Sequence, residues 1–350
     1  MANTNYHEMI KIKNVQKLRE LQSALPSFCT LYFRGMSDKH GSRTAIGYAY
    51  DLQIFMNYIC MYVFPEKNLS VKQLDLETLD ALTKFDIENY LEYLSYYQGS
   101  DGITHANDAM GKARKLSAIK GLYNYLYEAG LLKNNPASIV HMPKIHEKSI
   151  IRLEANEVAD LLDIVEFGSA EETKQQKNFH VVTKTRDLCL LTLLLGTGIR
   201  VSECVGLNLS DIDFDNNGLK IIRKGGNEAI VYFGDEVEDA LREYMDQRIH
   251  MNPLQGHEEA LFLSIQNRRI TVRAVENLVK KYASRVTTLK KITPHKLRST
   301  YGTQLYKESG DIYLVASVLG HKDVNTTKKH YADQDDMNRR KAAHMVSLRN

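Results

Sequence analysis

Three features of the sequence predict a mainly α-helical protein with a small β-sheet, an α+β chain in two domains. Long stretches in roughly the first 140 residues repeat apolar side chains at helical spacing. One later stretch alternates apolar and polar residues around a Gly-Gly pair, and a polar interval with two prolines separates the halves. With 350 residues, 43% of them hydrophobic and 25% charged, the chain is long enough to bury two cores.

Taken in order, the helical patterns are "NVQKLRELQSALPSFCTLYFRGM", "RTAIGYAYDLQIFMNYICMYV", "LTKFDIENYLEYLSYYQ" and "AMGKARKLSAIKGLYNYLYEAG", the last closing at Gly130, a residue type that ends helices. "NNPASIVHMPKIHEKS" follows and is read as an interdomain linker, which sets a helical domain at residues 1–145 and a second domain at 150–350. There "EANEVADLLDIV" predicts a helix, "EFGSAEETKQQKNFH" an exposed loop, "RDLCLLTLLLGTGIR" an apolar helix and "LKIIRKGGNEAIVYFG" a β-hairpin. "TPHKLRSTYGTQL" reads as a buried helix opened by a proline, yet it carries His295 and Arg298 three residues apart and so on one face.

Composition narrows the function classes. No 18-residue apolar run exists, and "MANTNYHEMIKIKNVQ" lacks the apolar core of a signal peptide, so a cytoplasmic protein without a membrane span is expected. Cys29, Cys60, Cys189 and Cys204 stand singly in hydrophobic contexts, which suits packing better than a zinc site or disulfides. The net charge of +3 is small, but its distribution is uneven: Asn267 to Arg298 holds ten Lys or Arg against one Glu, and "IIRKGGNE" adds a second basic cluster. Clustering of this kind is the electrostatic footprint of a nucleic-acid binder, although any single charge run is ordinarily a solvated face.

A scattered set of polar residues stands at structural punctuation points: Arg200 after "GTGI", Lys224 at the hairpin tip, His295 and Arg298, His321 after Gly320, and Tyr331. Taken alone, each has a plain role: a helix-capping arginine, a turn lysine, a helix-start or loop histidine, a packing tyrosine. Taken together, cations and imidazoles without clustered carboxylates make a poor Mg²⁺ site and a good phosphate cradle. A phosphodiester under attack gains charge on its non-bridging oxygens, which fixed guanidinium and imidazole donors stabilise without a metal. A lysine can protonate the departing 5′ oxygen, and a tyrosine can hold the phosphate as a covalent ester. No metal and no cofactor are expected.

The motifs "GTGIRVSECVGLNLSDID", "RKGGNEAIVYF", "TPHKLRSTYGT", "LGHKDVNTT" and "HYAD", in this order, resemble the tyrosine recombinases of the phage-integrase family. The resemblance spans roughly Glu154 to Asp333 and implies that Arg200, Lys224, His295, Arg298, His321 and Tyr331 are catalytic, with Glu203 the companion acid of Arg200. Less specifically, "SRTAIGYAYDLQIFMNYI" and "KARKLSAIKGLYNYLYEAGLLKNNPA" resemble the family's helical core-binding domain, leaving the second domain as the catalytic one. One spacing departs from the family: nine residues beyond His321 stands His330, and Tyr331 follows it. On a helix such a shift turns a side chain by about 100°; Tyr331 is still the expected nucleophile, with His330 as a neighbour that orients it.

The resemblance implies site-specific recombination through a 3′-phosphotyrosine link and a Holliday junction, serving integration and excision, inversion or resolution. It also implies double-stranded DNA with recombination sites as partner and a homo-tetramer on that DNA. The apolar residues Ala342, Ala343, Met345, Val346 and Leu348 of the last segment are candidates for contact with a neighbouring subunit. Lys112, Arg114, Lys115 and Lys120 in the first domain, and Arg268, Arg269 and Arg273 in the second, are candidate DNA contacts. A catalytically inactive DNA-binding regulator of the same fold is the alternative, and the displaced tyrosine favours it. A metal-dependent hydrolase built on His295, His321 and His330 is weaker, because no acidic ligand pattern accompanies them.

Overall fold

A computed structural model of the chain describes residues 6–36, 41–99, 102–145, 150–169, 173–223, 226–321 and 324. The chain divides into two compact units, Met1–Lys148 and Ser149–Asn350. Among the described residues no helix is long and apolar enough to cross a membrane.

The first unit holds α1 (Tyr6–Ser23), α2 (Ser27–Met36), α3 (Ser42–Tyr58), α4 (Leu76–Asp80), α5 (Lys84–Tyr93), a two-residue ribbon of β1 (Tyr97–Gln98) and β2 (Thr104–His105), and α6 (Ala109–Glu128). Asp108 starts α6 by accepting from the Gly111 amide at 2.9 Å, and Leu116, Ile119, Leu122, Tyr123 and Leu126 then return to one buried face at helical spacing. They pack with Leu52, Phe55 and Met56 of α3 and Ile87 and Tyr90 of α5 in one core, where the Tyr123 hydroxyl donates to the Leu79 carbonyl at 2.9 Å. Rings continue outward from this core: Tyr58 meets Tyr93 at 5.0 Å, Tyr93 meets Tyr97 at 5.2 Å, and Tyr97 stacks on His105 at 5.2 Å.

The segment read as a linker belongs largely to this unit. Pro136–Ile139 form a 3₁₀ turn capped by Asn135, and Ala137 and Val140 are buried in the core. The two prolines and polar residues conceal an apolar anchor of small side chains that fastens the segment to the first core.

In the second unit α7 (Ala155–Phe167) and α8 (Lys174–Thr197) are followed by the short α9 (Val201–Cys204). An antiparallel sheet then runs β3 (Ile212–Asp213), β4 (Gly218–Ile222) and β5 (Glu228–Tyr232). Leu219 pairs with Val231 and Lys220 with Ile230, as the alternating pattern requires. α10 (Asp235–Arg248), α11 (Val272–Val286), α12 (Pro294–Ser309) and α13 (Ile312–Leu319) complete the described elements.

α8 is the axis of the unit: Leu190, Leu191, Leu193 and Leu194 are buried where α7, α10 and α12 pack around it. Its first two turns correct the expected loop. Lys174 to His180 are helical because Thr173 and Gln176 form a reciprocal cap, and His180 bonds the Val165 carbonyl through Nε2 at 2.7 Å. The turns are mostly exposed, which is why their polar sequence resembled a loop.

Candidate active site

α8 ends where the chain needs a positive φ. Gly198 adopts φ +62°, and a Cβ there would lie 2.4 Å from Tyr301 Cδ1 and 2.9 Å from Leu319 Cδ2. Only glycine combines that backbone with that approach of α12 and α13. Arg200 follows as the residue capping α9. Glu203 accepts from the Arg200 amide at 2.8 Å and from its Nη1 at 2.8 Å, and its carboxylate is buried while the arginine remains about one-third exposed. The pair is held on one side and open on the other.

α12 starts at Pro294, which suits a first helical turn. His295 lies on that turn and is exposed; Arg298, one turn on, is buried. The Arg298 guanidinium donates from Nη1 to the Gly198 carbonyl at 2.5 Å and from Nη2 to the Leu319 carbonyl. Tyr301 and Tyr306 on the same helix pack: Tyr306 is buried with Val315 and Leu319, and burial raises the Tyr301 hydroxyl above its ordinary value, the wrong direction for a nucleophile.

α13 closes at Gly320, again with positive φ, and the His321 amide donates back to the Ala316 carbonyl at 2.9 Å. The half-buried His321 therefore begins where this helix stops. The last carbonyls of the helix are taken by three arginines from three other elements. Arg223 Nη2 donates to Val318 at 3.1 Å, Arg298 to Leu319, and Arg200 Nη2 to Gly320 at 3.4 Å. Three guanidiniums thus gather at the negative end of one helix dipole with the Glu203 carboxylate beside them, an excess of positive charge that suits an oxyanion.

Of the expected residues, Arg200, Arg298 and His321 come together here, and His295 lies on the helix that carries Arg298. Lys224, His330 and Tyr331 lie outside the described residues, as does the segment from Ala342 to Leu348. Arg223 was missed. Its signal is parity: Leu219 and Ile221 are buried on one face of β4, and residue 223 continues that face, so a cation there needs a partner.

The expected DNA contacts separate into two groups. Lys115 is buried, with its ammonium 3.4 Å from Asp51 and 3.1 Å from Asn107 Oδ1, so it is a core ion-pair member and not a surface cation. Arg269 donates to the Val205 carbonyl at 3.1 Å, the Leu207 carbonyl at 2.7 Å and Asn208 Oδ1 at 2.5 Å, which makes it a brace for the segment after α9. Lys112 and Lys120 are half-buried, bonding Ser95 Oγ at 2.7 Å and the Ser138 carbonyl at 3.3 Å. Arg114, Arg268 and Arg273 are exposed, Arg114 with one bond to Asp51 at 2.8 Å.

Comparison with known proteins points the same way as the geometry. The phage integrase family matches residues 152–338. The tyrosine recombinase XerC of Caldanaerobacter subterraneus subsp. tengcongensis is 30% identical over 316 residues, covering 87% of this chain and 82% of that protein. XerC of Leptospira interrogans serogroup Icterohaemorrhagiae serovar Lai is 29% identical over 289 residues, covering 83% and 82%. Among solved structures, the XerH recombinase bound to palindromic difH substrate in a post-cleavage complex shares the fold with a TM-score of 0.65 and 18% identity, covering 98% of this chain and 91% of that one. The Tn1549 transposon integrase in complex with circular intermediate DNA has a TM-score of 0.59 and 18% identity, covering 87% and 94%.

Proposed function

The chain belongs to the phage integrase family of tyrosine recombinases, and from that premise we propose that it cuts and rejoins DNA through a 3′-phosphotyrosine link and a Holliday junction. It is a tyrosine-type site-specific recombinase with DNA as its partner. The observation that carries the reading is the convergence of Arg200 and Arg298 on the last two carbonyls before His321.

Arg200, Arg298 and His321 bind the non-bridging oxygens of the scissile phosphate, where negative charge grows as the fifth bond forms. The Tyr331 oxygen attacks phosphorus while its proton passes towards His295, and the P–O5′ bond breaks as Lys224 gives that oxygen a proton. The 5′-hydroxyl of a partner duplex then attacks the phosphotyrosyl ester and frees the tyrosine. One ester replaces another at each step, so the sequence closes without a cofactor.

The unit Met1–Lys148 acts as the core-binding domain and Ser149–Asn350 as the catalytic domain. Arg114, Arg268 and Arg273, with Lys112 and Lys120, contact phosphates. Four copies act on two sites in the cytoplasm, the segment from Ala342 to Leu348 reaching a neighbouring copy. Integration and excision, inversion or resolution all follow from this chemistry.

The test is a duplex nicked near the crossover point, incubated in EDTA with wild type and with Tyr331→Phe and resolved on a denaturing gel. The wild type should form a covalent protein–DNA adduct and the variant none. Adducts with both would reassign the nucleophile, and a wild type that binds the site without forming any adduct would favour the regulator that the position of His330 suggests.

A further inference from the structure

We propose that Arg223 is a positioning residue of the cleavage site, seated on Gly320 so that it holds the end of α13, and with it His321, while Arg200 and Arg298 engage the phosphate. The inference rests on the phosphoryl-transfer reading above.

Arg223 follows the last residue of β4, where the turn of the β4–β5 hairpin begins. Its amide donates to the Asn227 carbonyl at 2.8 Å and its carbonyl accepts from Gly226 at 3.0 Å, so its backbone is held on both sides. Its side chain reaches α13. A Cβ on Gly320 would lie 1.9 Å from Arg223 Nη1 and 2.4 Å from Cζ, so the guanidinium rests on the glycine in the space where any other residue would carry its first carbon. From there Nη2 reaches the Val318 carbonyl. The Nε of the same group is buried and has no hydrogen-bond partner among the described residues. A plain capping arginine does not require an orphaned buried donor; such costs persist where the surroundings impose the position.

The division of labour follows from the acceptors. Arg200 and Arg298 hold the two carbonyls nearest His321, and both turn N–H groups to the phosphate when DNA binds. Arg223 holds the carbonyl farthest back, Val318, and remains the fixed point of that last turn. It also joins the hairpin to α13, two elements that are distant in sequence and share the site.

Single-turnover cleavage of the nicked duplex and equilibrium DNA binding are measured for wild type, Arg223→Met and Arg223→Lys, with thermal melting as a fold control. The Met variant should keep its DNA affinity within about twofold and cleave at least about tenfold more slowly, as expected when a catalytic group shifts by a fraction of an ångström to an ångström. The Lys variant should recover most of the rate, because an ammonium can still donate to the Val318 carbonyl. A Met variant that cleaves like wild type overturns the proposal. So does one whose affinity falls in step with its rate, which marks a direct phosphate contact. If the Met variant unfolds, Arg223→Gln, which keeps an amide donor, is read in the same two assays. A wild type that binds but forms no adduct overturns the parent reading and this inference together.

Discussion

Asp51 is a carboxyl whose surroundings pull in two directions. Burial raises its pKa, while Lys115 first and Arg114 second lower it, and the net direction is upward. A carboxyl whose pKa is higher folded than unfolded contributes most to stability at low pH, and that contribution is lost as pH rises through the folded value. Lys115→Met removes the larger of the two opposing influences on this group and leaves a buried carboxylate short of a partner. We expect a loss of about 3 kcal/mol at pH 7, narrowing as the pH falls towards 5, in urea melts across that range. Position alone could not separate Lys115 from its neighbours: Lys112, Arg114, Lys115 and Lys120 look alike in a list of cations, and only the buried face of α6 shows which one points inward. The pairing of Arg200 with Glu203 and the meeting of Arg200 and Arg298 beside His321 were legible from motif order. Arg223 was hidden because its neighbour Lys224 already had a role.

The α8–α9 junction shows how much one helix end can decide. Gly198 allows α8 to stop, admits Tyr301 and Leu319 against its Cα, and offers its carbonyl to Arg298. Gly198→Ala combines a left-handed backbone with a clash against α12 and α13, and should cost about 3 kcal/mol in chemical denaturation. Cleavage in the surviving folded fraction should also be slower, since the Arg298 acceptor moves with the backbone. At this scale the helical patterns and the hairpin were readable because burial enforces their periods. The first turns of α8 were not, since an exposed helix needs no apolar stripe; the Thr173 and Gln176 cap was the available signal. The turn at Pro136–Ile139 was missed for the opposite reason, its buried contacts being made by small residues that composition does not distinguish from a linker.

For the molecule as a whole, the proposed function makes affinity for DNA depend on the exposed cations that can meet phosphate. Arg273 has 80% of its side chain exposed, with Glu276 at 3.3 Å, so it costs little to redirect. Arg273→Ala should weaken binding alike on all sequences and reduce the slope of log affinity against log salt by about 1, read by fluorescence anisotropy from 50 to 200 mM salt, a range of about fourfold. Arg269→Ala should instead lower the melting temperature and leave the slope unchanged, because that guanidinium braces the protein's own carbonyls. The capping of α13 by Arg200, Arg223 and Arg298 has a further consequence, one of timing. All three arginines are synthesised before Val318, Leu319 and Gly320. Until that last turn is synthesised, the guanidiniums have none of the α13 carbonyls that gather them, so the order of residues along the chain defers the assembly of the proposed site to a late stage of translation.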